Sequence, residues 1–197
     1  LHSLGGLALL LNTPGRALAS YEKVIKARPP PEVVPYASHG RALALYFQQQ
    51  YAQARDAWQA LSTRSLPAPL ALEVSFWLGE SLGRVGEYAL AEEQFRGFTN
   101  AGPHYLIETG ILRLGWWALA AGHPLESVKA FRWLLSAYPG ARERAWARAG
   151  LALALGALDD FPGAREAVRQ LEGEDPAHPL VMPSLLLLLH SLVIVFQ

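Results

Sequence analysis

The 197-residue chain carries 17 basic and 17 acidic side chains, so its formal charge is zero, and only 17% of it is charged, against about 25% in a typical soluble domain. A hydrophobic share of 51% excludes a disordered tail, and the missing basic excess argues against a nucleic-acid binder. With no cysteine in the chain, a disulfide scaffold, a thiolate metal site and a Cys nucleophile are excluded.

Ala and Leu, 31 and 35 residues, favour helices, while Pro and Gly recur between apolar stretches as breaks. The fold class expected is therefore all-α. In chain order, helices are expected near 1–12, 14–28, 35–49, 51–63, 68–84, 87–100, 104–121, 124–137, 141–157, 161–173 and 180–196. The first pair turns at Asn12-Thr13-Pro14, the second at Gln50-Tyr51, the third at Gly86-Glu87-Tyr88, the fourth at Gly122-His123-Pro124 and the fifth at Asp159-Asp160-Phe161.

These pairs keep one register. A small residue recurs as Gly5, Ala42, Gly79, Gly115 and Ala152, at spacings of 37, 37, 36 and 37. Twelve residues on stand Ala17, Ala54, Ala91, Ser127 and Ala164, and four further the bulky Tyr21, Trp58, Phe95, Phe131 and Val168. Behind them run Val24, Leu61, Phe98, Leu134, Leu171 and then Pro29, Leu66, Pro103, Pro139, Pro176. Residues four apart share a helix face. A small residue on the first helix of a pair lets the second approach, the bulky one fills the gap, and the closing Pro stops the second helix.

These residues resemble the tetratricopeptide repeat (TPR) family. The best unit runs from Phe76-Trp77-Leu78-Gly79 through Gly86-Glu87-Tyr88, Ala91 and Phe95 to Pro103, and the likeness covers about 1–177. Arg41, Leu66, Ser127 and Val168 depart from the pattern. The resemblance implies a right-handed α-solenoid of about five helix pairs, with units near 1–34, 35–71, 72–107, 108–144 and 145–177. An apolar segment at 178–197 follows, as the first helix of a sixth repeat or an oligomerisation element. A period of 36–37, longer than the usual 34, is similar to that of bacterial cell-envelope TPR proteins, and so implies the periplasm or cell envelope rather than the cytoplasm. The absent Met and the start almost at Leu4-Gly5 suggest a piece of a longer array.

Several strings imitate chemistry. Gly79-Glu80-Ser81-Leu82-Gly83 matches G-x-S-x-G, but a nucleophile elbow needs a strand before the serine, and this string falls inside an expected helix. No two of the six His stand three to five apart, so no helical metal pair is expected. Glu172, Glu174 and Asp175, at the end of a second helix where acids oppose the helix dipole, read as a solvated loop before Pro176. Leu185–Phe196 is nearly all apolar but only about 12 residues long, short of the about 20 that span a bilayer.

No catalytic, cofactor or metal site and no small-molecule substrate is expected. In TPR proteins the first helices of the pairs line a concave groove. On that register the groove residues are Tyr36, His39, Tyr46, Phe47, Phe76, Glu80, Arg84, Leu112, Trp116 and Trp146. They are mostly aromatic or apolar rather than the Lys, Asn and Arg that clamp acidic chaperone tails. The expected function is a non-enzymatic scaffold binding a peptide or partner helix. The alternative is a self-assembling element, a homo-oligomer paired through its units or its apolar C-terminal segment.

Overall fold

The computed structural model describes residues 13–177 and 179. Among these, nine α-helices and no strand are found: α1 (Pro14–Lys26), α2 (Val34–Phe47), α3 (Tyr51–Ser62), α4 (Ala68–Arg84), α5 (Tyr88–Thr99), α6 (Ile107–Ala120), α7 (Pro124–Ala137), α8 (Arg144–Gly156) and α9 (Phe161–Glu174). The helices expected at 1–12 and 180–196, and with them the apolar segment Leu185–Phe196, lie outside the described residues.

Proline occupies the first or second helical position in α1, α2, α4, α7 and α9, where its missing N–H costs nothing and its fixed φ suits the helix. Helices α6 and α8 begin three residues later than expected. The residues ahead of them are used in turns, with Ile107 N–H donating to His104 O and Ala141 N–H to Tyr138 O, each at 3.0 Å.

One turn recurs within the pairs. Gln49, Gly86, Gly122 and Asp159 stand seven residues after the small column, and all have positive φ, at 62°, 87°, 81° and 60°. In each, the next N–H reaches back five residues: Gln50 to Leu45, Glu87 to Leu82, His123 to Ala118 and Asp160 to Leu155, at 2.9–3.0 Å. The left-handed residue itself donates three back, as Gly86 does to Gly83 O and Gly122 to Leu119 O. This is a Schellman cap, which satisfies carbonyls otherwise orphaned at a helix end. The cap closes the first helix and launches the second within two residues.

The chain divides into two compact units, one ending at Gln94 and the other beginning at Phe95. In the first, α1, α2, α3 and α4 pack in succession, and the first helices α2 and α4 also touch. In the second, α6 to α9 do the same, with α6 against α8. Small residues on the first helices, in the column of Gly115 and two residues before it, explain the close approach. In the first unit a Cβ on Gly40 would collide with the Tyr21 ring. In the second, a Cβ on Gly115 would stand 2.5 Å from Phe131, and one on Gly150 would collide with the same ring. Phe131 is thus wedged between glycines of α6 and α8. The repeat of Trp58 solves the same problem differently: Trp77 occupies the position of Gly40 and Gly150 and stacks on Trp58, with ring centres 5.9 Å apart and planes at 17°.

Glu174 is a correction to the sequence reading. It is exposed, but it is the last residue of α9 rather than a loop acid, and it accepts from Arg144 Nη2 at 2.7 Å and Arg148 Nη2 at 2.8 Å, tying α9 to α8. The Arg148 hydrogen bond first, and both charges after it, hold the Glu174 carboxyl below its usual range.

Candidate functional site

In the first unit the expected groove residues lie on α2 and α4. Phe47 is 50% exposed and Tyr36 and Arg84 are exposed, whereas His39, Tyr46, Phe76 and Glu80 are buried. The register therefore brings the first three to the surface and leaves the other four as packing and internal polar groups. His39 is a core histidine: Trp58 Nε1–H donates to its Nδ1 at 3.1 Å, which leaves the proton on Nε2. That nitrogen lies 3.2 Å from Glu73 Oε2. Burial lowers the His39 pKa, and Glu73 pulls it partly back.

Beside it, Tyr46 OH donates to Glu80 Oε2 at 3.4 Å and accepts from Arg84 Nε at 3.3 Å. Burial and then the Glu80 charge raise the Tyr46 pKa. Arg84 lies over the Tyr51 ring, 5.9 Å from its centre. Tyr46 also contacts Phe47 and Trp77, at ring-centre distances of 5.7 and 5.1 Å. Trp77 and Tyr51 were not among the expected site residues. Trp77 sits one residue from the register position of Phe76, and its neighbours give it both a packing and a surface role.

In the second unit, Leu112 and Trp116 on α6 and Trp146 on α8 line one cleft of about 270 Å³ with Thr109, Arg113 and Glu143. Leu112 is buried and forms its floor, Trp116 is half-buried with its ring edge-on to Phe131 at 5.5 Å, and Trp146 is 43% exposed. Thr109 Oγ1 donates to Glu143 Oε1 at 3.5 Å. Arg113 and Glu143 escaped the sequence reading. Arg113 stands where the other repeats carry Ser3, Gly40, Trp77 and Gly150, and Glu143 lies in the turn just before α8, where register gives no signal.

The other strings are structural. Gly79–Gly83 lies in the C-terminal part of α4, with Ser81 buried and no strand before it. Among the described residues no three His, Asp or Glu gather to hold a metal, and no helix is long and apolar enough to cross a membrane.

Residues 39–105 match the family model described as tetratricopeptide repeat. This stretch is a tetratricopeptide repeat region. Structural likeness extends beyond it. YrrB, described as a TPR protein with an unusual peptide-binding site, superposes with a TM-score of 0.75 at 17% identity, over 91% of this chain and 87% of that one. MamA (41-end) from Desulfovibrio magneticus RS-1 gives 0.75 at 17% identity, over 90% and 94%. A tetratricopeptide repeat protein from Parabacteroides merdae gives 0.74 at 11% identity, over 91% and 67%. No curated protein matches the chain in sequence. At such identities the likeness is one of fold: an all-α repeat solenoid of paired helices.

Proposed function

We propose that this chain is a non-enzymatic scaffold that binds a peptide or partner helix through the first helices of its TPR pairs. The observation that carries the reading is the exposure of large aromatic side chains on those helices, Phe47 on α2 and Trp146 on α8. Water-exposed aromatics on rigid elements are typical anchors for a partner. The peptide-binding site of YrrB, a structure of the same fold, supports the same use. Selection from a random displayed-peptide library tests it. Enriched peptides should share aromatic or branched apolar residues, and Phe47→Ser or Trp146→Ala should weaken them at least tenfold. A library that yields no enriched peptide overturns the reading.

A second reading, self-assembly, rests on α7. Leu125 and Trp133, eight residues apart on one helix face, are both exposed. If that face pairs copies, Trp133→Glu lowers the mass seen by light scattering at high concentration. An unchanged mass overturns this alternative.

A further inference from the structure

We infer that the α6–α8 cleft is an anchor pocket for one uncharged, bulky apolar side chain of a bound peptide, with the adjoining peptide group held between Arg113 and Glu143. The inference rests on the scaffold reading and names what its site takes. At about 270 Å³ the cleft falls below the about 300–1,000 Å³ of a drug-sized ligand site. It suits a single side chain rather than a cofactor. Its apolar walls are Leu112, Trp116 and Trp146, flat aromatic and aliphatic surfaces that reward burial of carbon.

Charge decides the occupant. Arg113 and Glu143 bring opposite charges to the same small cleft. A charged anchor of either sign would meet one attractive and one repulsive partner there, so nothing offsets the cost of taking its charge out of water. A neutral side chain meets no such cost. A peptide group has an N–H and a C=O to offer, the one complementary to a carboxylate acceptor and the other to a guanidinium donor. Thr109 Oγ1 donates to one Glu143 oxygen, and a carboxylate has a second oxygen that can accept an N–H. The cleft thus combines a hydrophobic seat with one donor and one acceptor, the polar pattern of a peptide link rather than of a free acid or amine.

Capped amino acids test this without any selected peptide. The probes are the N-acetyl methylamides of leucine, phenylalanine, arginine and glutamate, each ranked by saturation-transfer NMR on the full chain. The leucine and phenylalanine probes should bind in the millimolar range, at least fivefold tighter than either charged probe. Trp146→Ala should abolish the signal. Thr109→Lys, which fills the cleft from the opposite wall, serves as an independent variant should the first melt early. Equal or tighter binding of a charged probe, no binding of the neutral ones, or binding that survives both substitutions overturns the proposal. The two failures are distinguishable. Enriched peptides with no capped-residue binding leave the scaffold standing and remove the pocket; capped residues that bind with no enriched peptide remove the scaffold and the peptide role of the pocket with it, and leave only a cleft that accepts an apolar group.

Discussion

At the scale of single residues, the turn column is the sharpest constraint. Gly86 and Gly122 take the left-handed conformation freely, whereas Gln49 and Asp159 hold it with a Cβ, at a cost of about 1–2 kcal/mol for an L-residue. Gly122→Ala should therefore lower stability by about 1 kcal/mol, read from the denaturant midpoint, while Gln49→Gly should leave it unchanged or raise it. His39 gives a pH signature. Its folded pKa lies below the ordinary 6.5 because burial disfavours the imidazolium. The unfolded chain takes up the proton first, so the stability His39 contributes is complete above pH 6.5 and is lost as pH falls through the lower folded value. Trp58 N–H pointing at Nδ1 reinforces this, since a protonated ring would place donor against donor. Between pH 7.5 and 5 the parent should lose more stability than His39→Gln in matched urea titrations. Equal losses would mean that His39 does not couple to folding.

At the scale of elements, the seams between helices depend on a ring meeting a glycine. Gly150→Ala places a methyl against the Phe131 ring and should cost about 1–3 kcal/mol of overpacking. Part of this is offset by helix propensity. Gly97, exposed in α5 with open space at its Cβ, is the control: Gly97→Ala should stabilise by up to about 1 kcal/mol. Melting temperatures that move the same way in both variants would refute the wedge. The buried Ala54 and Ala91, each at 0% exposure, should resist enlargement in the same way. Thermal unfolding of Ala91→Leu at the parent temperature would show the register to be wrong. Most of this was legible in the sequence, because packing between repeated helices forces a small and a bulky residue to recur at fixed offsets, and the helix ends followed from Pro and Gly. What register could not supply was the fate of individual face positions. Phe76, Leu112 and Glu80 stand on the predicted face yet are buried, because a helix face several residues wide is shared between solvent and the neighbouring first helix. Nor could it supply Arg113 and Glu143, whose meeting depends on α6 and α8 lying side by side across about thirty residues of chain.

At the scale of the whole molecule, the proposed function makes one claim, that the first helices of the pairs carry the partner. The chain's six tryptophans report on this claim directly. Trp116 and Trp146 line the cleft of the second unit, Trp58 is fully buried and bonded to His39, and Trp133 lies exposed on the second helix α7. The decisive measurement is a titration of the nitrogen-15-labelled chain with an enriched peptide, following the indole N–H resonances assigned by single Trp→Phe variants. The account predicts that Trp116 and Trp146 shift together and saturate while Trp58 and Trp133 stay in place. A shift confined to Trp133, with Trp116 and Trp146 unmoved at saturation, would contradict it.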